Sequence, residues 1–189
     1  LCVNLYYNGF LKHEYGYFPQ CMSRYFFRNP DKLLEKIRGD DALYFEFQWH
    51  YRLPSEAFFD IGQLLHWTDV MINASDSDAD KVTLVGSILG KAPDGDDGIF
   101  PIETVRKLLK IKKNEELTTA VARGKINSLG LRDVEDGKKE REKSDIYKMQ
   151  ARAMEIDYPQ TSVILRILAN FYERESKRDQ ISSEIEPVQ

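Results

Sequence analysis

The feature that most constrains the fold of this chain is an apolar stripe close to its C-terminus. Between residue 159 and about residue 184, apolar side chains recur at the three- and four-residue intervals that place them on one side of an α-helix. The stripe consists of Val163, Ile164, Ile167, Leu168, Phe171 and Tyr172. It predicts a long amphipathic helix.

A second helix is predicted directly before the first, over residues 138–155. Only the short turn 156–158 separates the two, and short connections join helices that pack antiparallel. Glu173 and Lys177 add an i,i+4 charge pair of the kind that supports a helix. The sequence therefore predicts an antiparallel helical hairpin at the C-terminus.

The middle of the chain also has helical periodicity. Four helices are predicted there, at residues 55–73, 80–89, 101–111 and 115–128. Pro101 suits the first position of the third helix, and Gly90 and Gly130 suit the ends of the second and fourth. The GSILG sequence that ends at Gly90 is typical of close helix packing.

The beginning of the chain is rich in aromatic residues, most of which lie at or before Trp67. Residues 3–7 and 10–18 flank Asn8-Gly9, a pair that tolerates the positive φ of a type I′ turn, and they predict a β-hairpin. Residues 31–38 predict a short helix capped by Asp31. Between residues 45 and 51 aromatic and polar side chains alternate, which is strand periodicity.

These patterns together predict a mainly α fold. It is a helical bundle with a small, aromatic-rich, β-containing element at its N-terminus, so the whole is α+β. The predicted regions are an aromatic α+β element with the hairpin over residues 1–54, a helical region over 55–130 and the helical hairpin over 131–189.

The composition agrees with a globular protein outside the membrane. The chain has 189 residues, 42% of them hydrophobic and 31% charged, which suits one or two domains. No apolar run reaches the length of a bilayer span, and the first residues lack the pattern of a signal peptide. The two cysteines, Cys2 and Cys21, favour a reducing compartment. We expect a cytoplasmic protein, and the first residue, Leu1, indicates a piece of a longer polypeptide.

The acidic stretch NASDSDADK has the spacing of the first half of a calcium-binding loop. Its aspartates, Asp76, Asp78 and Asp80, alternate as the ligands of such a loop do. Lys81 takes the place of the glycine that the loop needs, and Ser87 that of the bidentate glutamate. Acidic residues also suit the N-terminus of a helix. The helix start is the favoured interpretation, and metal binding is the alternative.

A second acidic group, Asp94, Asp96 and Asp97, follows the predicted helix 80–89. That helix would separate the two groups by about 15 Å, at 1.5 Å per residue, so one ion does not reach both. The PDGDDG sequence is typical of an exposed turn. A metal-dependent enzyme that uses loops 76–80 and 94–97 is an alternative function, but no motif calls for a cofactor.

A basic run accompanies the predicted helix 101–111. Arg106, Lys110 and Lys113 fall on one helical face, with Lys107 beside them. Such a face suits contacts with nucleic-acid phosphates. However, glutamates follow it directly and the net charge of the chain is −4, which favours a solvated helix face. Nucleic-acid binding is the alternative.

The sequence contains no recognisable catalytic motif. The patterns GxxxxGK[ST], HExxH and CxxC are all absent from it. Of the histidines, His66 is adjacent to Trp67 and is interpreted as a core or boundary residue. His50 belongs to the polar positions of the aromatic alternation and is expected to face solvent.

Several residues of the C-terminal hairpin recur at characteristic places. They are Glu140-Arg141, Tyr147, Pro159, Thr161 and the Tyr-Glu-Arg-Glu stretch at 172–175. With these residues the run 137–179 resembles the C-terminal helical segment of long, uncharacterised bacterial proteins. The resemblance covers less than a quarter of the chain. It implies a bacterial origin and a modular C-terminal position, and it brings no activity with it.

On these grounds the sequence predicts a non-catalytic protein–protein interaction or scaffold module of a larger bacterial protein or complex. The expected partner is another protein or the remainder of a longer chain, and no membrane contact is expected.

Overall fold

The structure, a computed structural model, describes residues 20–38, 47–48, 50–73, 78–129 and 137–185, with residues 78–80 and 181–185 described by their backbone alone. The helices are α1 (Gln20–Arg28), α2 (Pro30–Ile37), a 3-10 helix (Ser55–Phe58), α3 (Ile61–Asn73), α4 (Asp78–Leu89), α5 (Glu103–Lys112), α6 (Glu115–Asn127), α7 (Lys138–Met154) and α8 (Pro159–Ile185). The described part of the chain is therefore mainly α, as predicted. None of these helices is long and apolar enough to cross a bilayer.

No β-containing element is seen in the described residues. The predicted hairpin at residues 3–18 lies outside them. The strand predicted at 45–51 is wrong where it is described, because residues 47, 48 and 50 are helical and the Tyr51 N–H donates to the Phe47 carbonyl at 3.1 Å. When aromatic residues occupy every second position, every other one of them lies four positions from the last, as Tyr51 does from Phe47. Four positions is also the spacing along one face of a helix, so the same pattern fits a helix. The ring centroids of Phe47 and Tyr51 are 5.8 Å apart.

The helix predicted over residues 55–73 is divided by a cap. A 3-10 helix ends at Phe58, and α3 begins at Ile61. Between them the Asp60 carboxylate accepts the N–H groups of Gly62 at 2.9 Å and Gln63 at 3.1 Å. Because Asp60 satisfies donors at the first turn of α3, it fixes the start of that helix.

No element was predicted for residues 20–28, where the structure has α1, whereas the remaining helices begin and end near their predicted positions. Helix α2 starts at Pro30, one residue before the Asp31 that was expected to cap it. Helix α5 starts at Glu103 instead of Pro101. Helix α6 starts where predicted, because the Asn114 side chain accepts the Leu117 N–H at 2.8 Å.

The core is aromatic towards the N-terminus and aliphatic elsewhere. Trp67 of α3 and Tyr51 are completely buried. The Phe27 ring lies 6.5 Å from that of Trp67, and the Tyr51 hydroxyl donates to the Ser23 carbonyl at 3.1 Å. The aliphatic part of the core includes Leu64, Met71, Leu84, Ile88, Leu108, Leu109, Ile164 and Leu168. This core joins α1 and α2 to the helices that follow.

Helices α4 and α6 cross at very short range because their contact surfaces consist of small residues. A Cβ atom on Gly86 would lie 2.7 Å from the carbonyl carbon of Ala120, and one on Gly90 would lie 2.6 Å from that of Gly124. The later glycine of α4, Gly90, meets the later residue of α6, Gly124, so the two helices run parallel. The close helix packing expected from GSILG is confirmed.

Helices α7 and α8 form the predicted hairpin, and serine hydroxyls connect them. The Ser144 hydroxyl of α7 donates to the Ala169 carbonyl of α8 at 3.0 Å. The Ser162 hydroxyl of α8 donates to the Ala151 carbonyl of α7 at 2.8 Å. From Ser144 to Ala151 the contact moves seven residues forward along α7, and from Ala169 to Ser162 it moves seven residues back along α8. The helices therefore pack antiparallel with a heptad repeat.

A third contact extends this repeat to the start of α7. A Cβ atom on Gly137 would lie 2.6 Å from the Ser176 carbonyl oxygen, one heptad beyond the Ser144 contact. The φ of Gly137 is +73°, a conformation that favours glycine. The side of α7 that faces α8 therefore presents glycine, serine and alanine at intervals of seven, with Tyr147 between them stacked on Tyr172 of α8 at 5.6 Å.

Helix α7 is an outer helix of the described structure. It packs chiefly against α8, whereas α8 also packs against α5 and α6. The turn after α7 is held by the Tyr158 hydroxyl, which donates to the Glu103 carboxylate at 3.4 Å. Gln150 of α7 donates to the Gly98 carbonyl at 3.2 Å. These contacts fix one edge of α7 to the body and leave the opposite side outward.

Candidate functional site

Arg106, the first residue of the predicted basic face, is buried. Its guanidinium forms a bidentate ion pair with Asp97, with both N–O distances at 2.7 Å, and also donates to the carbonyls of Ile99 and Pro101. The hydrogen bonds from Arg106 lower the pKa of Asp97 to about 2. Charge-assisted bidentate pairs are strong. Arg106 thus fixes the turn before α5 and does not share an exposed face with Lys110, which corrects the predicted arrangement.

The lysines of the predicted basic face are exposed, and two of them have contacts within the chain. Lys107 pairs with Glu103 at 3.0 Å, and the Lys110 ammonium lies 5.4 Å from the centroid of the Tyr158 ring. Lys113 caps the end of α5 with a φ of +50°. Nucleic-acid binding through this helix stays a prediction.

The first acidic group falls largely outside the described residues. Asp76 is not among them, and of Asp78 and Asp80 only the backbone is described, in the first turn of α4. A helix start at this point agrees with the favoured interpretation of the acidic stretch. Metal binding by the three aspartates stays a prediction.

Two of the three carboxylates of the second acidic group pair with neighbouring cations. Asp94 pairs with Lys125 at 3.3 Å, and Asp97 pairs with Arg106. The Asp97 carboxylate also accepts the Ile99 N–H at 3.0 Å, which closes the turn. Among the described residues, no group of three His, Cys, Asp or Glu side chains is arranged to hold a metal ion.

A small polar cavity of about 130 Å³ lies at the C-terminal ends of α4 and α6. It is lined by Gln48, Arg52, Ser87, Lys91, Gly124, Asn127 and Ser128. The Lys91 ammonium donates to the carbonyls of Gln48 and Tyr51. Burial, and then the charge of Arg52, lower the pKa of Lys91 to about 7.

The geometry of this cavity fits a structural role for Lys91. Cations near the last carbonyls of helices offset the negative ends of the helix dipoles, and two parallel helices end here. The cavity is smaller than typical small-molecule sites. Its described lining contains no carboxylate, histidine or cysteine that would give Lys91 an acid–base partner.

A wider cavity of about 650 Å³ opens between α1 and α3. Its lining includes Phe27, Glu56, Asp60 and His66. Glu56 pairs with Arg24 at 2.9 Å, and the Asp60 carboxylate caps α3. His66 is exposed, which corrects its interpretation as a core or boundary residue, whereas His50 is exposed as predicted.

The feature that stands out is the side of α7 that points away from α8. We call it the outer face; it consists of Ile146, Met149 and Ala153 of α7 and Ile156 in the turn that follows. Ile146 is 49% exposed, Met149 65% and Ile156 92%, and Ala153 is exposed as well. These residues lie about half a turn from Ser144 and Ala151, which face α8.

Helix α7 therefore departs from an ordinary surface helix on its exposed side. A surface helix normally buries its large apolar side chains and exposes its polar ones. Tyr147 packs on Tyr172 of α8 in the ordinary way, but an isoleucine and a methionine face away from the protein. The apolar part is confined to the second half of α7, because Lys138 and Glu142 continue the same side towards the N-terminus.

Charged residues border the outer face. Asp145 and Arg152 lie one heptad apart on the same edge, and both are exposed. Asp145 has a loose contact of 3.7 Å with Lys148, whose shorter contact, 3.0 Å, is with Glu173 of α8. Hydrogen bonds from Lys148 and Lys177 lower the pKa of Glu173 to about 2. Asp145 and Arg152 are therefore exposed charges of opposite sign at this edge.

Comparison with known proteins adds no family. No protein-family model, curated protein or solved structure matches the chain. The function must therefore be argued from the surfaces that the chain itself presents.

Sequence reasoning did not single out the outer face. Ile146, Met149 and Ala153 have helical spacing, which by itself is typical of a buried side. The signal that distinguishes the two sides is the second repeat, in which Gly137, Ser144 and Ala151 follow each other at intervals of seven. Small residues at a heptad spacing indicate the side on which a neighbouring helix comes close.

Proposed function

We propose that this protein is a non-catalytic protein–protein interaction module and that the outer face of α7 is the surface that binds a helix of its partner. The observation that carries the proposal is the exposure of Ile146, Met149 and Ile156 along one side of a helix whose other side packs on α8. Exposed apolar residues that are contiguous mark interaction sites more often than scattered ones do.

The physical reason is the cost of leaving these side chains in water. Burial of a large apolar side chain stabilises by roughly 1.5–3 kcal/mol, so an apolar helix face is stabilised by a partner that covers it. Methionine is unbranched and adapts to different partner surfaces. A partner helix with apolar residues at the same spacing would fit such a face.

The wider setting of the module is part of the same proposal. We assign it to the bacterial cytoplasm, on the few cysteines of the sequence and the resemblance of residues 137–179. We also propose that it acts as a scaffold within a larger protein or complex. This assignment agrees with the pairing of Arg106 with Asp97, which removes a charge from the alternative nucleic-acid face.

The proposal is tested by site-specific photo-crosslinking in the native cell. A photoreactive amino acid is placed at Met149 of the full chain and, as the matched control, at Ile111, which is also a helical apolar residue and is 58% exposed. We expect a discrete protein adduct from position 149 that is absent from position 111. The adduct should be lost when Ile146→Lys is added and kept when Val163→Lys is added.

Two results would refute the proposed function. One is crosslinking at position 149 no stronger than at position 111, which would mean that the outer face has no protein neighbour. The other is an adduct that persists with Ile146→Lys, because binding would then not use the apolar face. Circular dichroism of each variant checks that the helices remain formed.

A further inference from the structure

We infer that the helix bound by the outer face is acidic, with Asp or Glu residues beside its apolar stripe that pair with Arg141 and Arg152 of α7. This inference rests on the proposed function and names the chemistry of the partner. It follows from an excess of positive charge on the side of the α7–α8 hairpin that borders the outer face.

One side of the hairpin faces away from the rest of the protein. Lys148 of α7 pairs there with Glu173 of α8 at 3.0 Å, and Arg166 of α8 pairs with Glu155 of α7 at 2.6 Å. Lys148 precedes Gln150, the α7 residue that contacts the body, by two positions, which is about 200° around a helix. The side with these two ion pairs is therefore turned away from the body.

We call this side the flank, and it carries more positive than negative charge. Its described cations are Arg141, Lys148, Arg152, Arg166, Arg174 and Lys177, and its described carboxylates are Asp145, Glu155 and Glu173. Each of them lies three, four or seven residues from another, which is the spacing along one side of a helix. The flank is thus positive in a chain whose net charge is −4.

Three arginines of the flank have no carboxylate partner. Arg141, Arg152 and Arg174 are exposed, and none of them forms a salt bridge within the part of the chain that the structure describes. Two nearby carboxylates, Glu155 and Glu173, are already engaged by the ion pairs that cross the hairpin. Exposed charges of this kind select a partner that brings the opposite charge. The flank therefore favours an acidic partner.

The two arginines of α7 lie along one line beside the outer face. Arg141 and Arg152 are eleven residues apart, which is within about 20° of three full turns, at a separation of roughly 17 Å. Arg152 is three residues from Met149 and four from Ile156, so it borders the apolar residues directly. Asp145 lies between the two arginines, and a lysine 3.7 Å away offsets its charge. A helix that packs along the outer face would pass both arginines.

An acidic helix fits this combination of charge and apolar surface better than other anionic partners do. A nucleic-acid backbone would pair with the arginines but would leave Ile146, Met149 and Ile156 in water. A membrane surface would cover them, but the outer face has none of the Trp, Phe or Leu residues that anchor interfacial helices. Carboxylates beside an apolar stripe match both parts, and a guanidinium binds a carboxylate through two hydrogen bonds.

The inference is tested in the crosslinking assay of the full chain in its native cell, with the photoreactive amino acid at position 149. Mass spectrometry of the adduct identifies the crosslinked segment. We expect a stretch with Asp or Glu beside apolar residues at three- and four-residue spacing. Arg152→Glu should lower the adduct yield about tenfold, because it turns an attraction into a repulsion.

Arg174→Glu is the matched control for this charge reversal. Arg174 is also an exposed arginine of the flank without a salt bridge, but it belongs to α8 and lies farther from the outer face. Because salt screens charges beyond about 10 Å, its reversal should change the adduct yield by less than about twofold. Circular dichroism of each variant checks that the helices remain formed.

A direct measurement uses the segment recovered from the adduct as a labelled synthetic peptide. Fluorescence anisotropy gives its Kd for the purified full chain. Arg141→Glu and Arg152→Glu should each raise the Kd about tenfold. Replacement of the facing carboxylate of the peptide by lysine should restore binding to the Arg152→Glu variant, because the pair is then attractive again.

The outcomes separate the inference from the proposed function. A protein adduct whose segment has no excess of Asp and Glu, or whose yield is unchanged by Arg152→Glu, overturns the acidic partner and leaves the interaction module standing. An adduct that nuclease digests or that extracts with lipid identifies another anionic ligand and overturns both. Crosslinking at position 149 no stronger than at position 111 also overturns both.

Discussion

At the scale of single residues, Arg106 shows how a buried partner changes the meaning of a sequence pattern. Its spacing from Lys110 is that of a shared helical face, but a carboxylate nine residues earlier binds the guanidinium. The turn that brings Asp97 back to α5 depends on the Ile99 N–H and on the carbonyls that Arg106 reaches. None of these backbone contacts is visible in the spacing of charged residues.

The first prediction concerns this ion pair. Arg106→Ala should lower the free energy of unfolding by roughly 2–4 kcal/mol, because it leaves Asp97 and two carbonyls without the donor that satisfied them. Lys107→Ala, on the same helix, removes only a surface pair and should change it by less than about 1 kcal/mol. Urea unfolding followed by circular dichroism measures both. Equal effects of the two substitutions would contradict a fixing role for Arg106.

The same pair predicts a dependence on pH. Because Arg106 holds the pKa of Asp97 at about 2, below the usual 3.8, the pair stabilises the fold fully above about pH 4. Its contribution is lost as the pH falls towards 2, since over this interval Asp97 takes up a proton in the unfolded chain and stays ionised in the folded one. The stability difference between the original chain and Asp97→Asn should therefore shrink over that interval. A difference that is constant with pH would show that the charge of Asp97 contributes nothing.

At the scale of helices, the two sides of α7 have different packing requirements. Ala151 lies in the heptad of small residues, where its carbonyl accepts the Ser162 hydroxyl at 2.8 Å. Ala153, two residues later, belongs to the outer face. The same alanine side chain thus fills a close contact on one side and leaves space on the other.

A matched pair of substitutions tests this difference. Ala151→Leu should destabilise the fold by roughly 1–3 kcal/mol, because the larger side chain forces α7 away from α8. Ala153→Leu should change the stability of the fold by no more than about 0.5 kcal/mol. Thermal unfolding followed by circular dichroism compares the two. A tolerated Ala151→Leu would mean that the helices are not held at close range by their small residues.

Secondary structure was predictable in kind, and less so at boundaries. The hairpin helices followed from their periodicity, since α8 buries Ile164 and Leu168 of the stripe identified in the sequence. The segment around Phe47 was misjudged, because an alternation of period two contains the four-residue spacing of a helix. The break before α3 depends on one cap, Asp60. Local hydrogen bonds to its carboxylate decide whether the chain breaks there or continues as one helix.

At the scale of the whole molecule, α7 has the fewest packing partners of the hairpin pair. It contacts chiefly α8, whereas α8 is shared with α5 and α6. A helix that packs mainly on one neighbour opens locally at a lower cost than one within the core. The surface proposed for binding therefore lies on the helix of the hairpin whose local opening a bound partner would reduce more.

Hydrogen exchange measures this relation. In dilute solution the amides of α7 should exchange faster than those of the central turns of α8. Equal protection of α7 and α8 would contradict this difference in packing.

The candidate site could not be derived from the sequence because it depends on which side of α7 is covered. Periodicity shows that Ile146 and Met149 share a side, but both a core and an interface have that pattern. The decision requires the position of α8, which is set by the hydroxyl of Ser144 and the close approach at Gly137.

The parallel crossing of α4 and α6 provides a means of finding relatives of this chain. Since Gly86 and Gly90 admit no larger side chain, related sequences must keep small residues at both positions. Ala120 follows Gly86 at the same separation in sequence as Gly124 follows Gly90, and α5 lies between the two pairs. A search for two small-xxx-small patterns with this separation would recognise distant homologues in which all the surface residues have diverged.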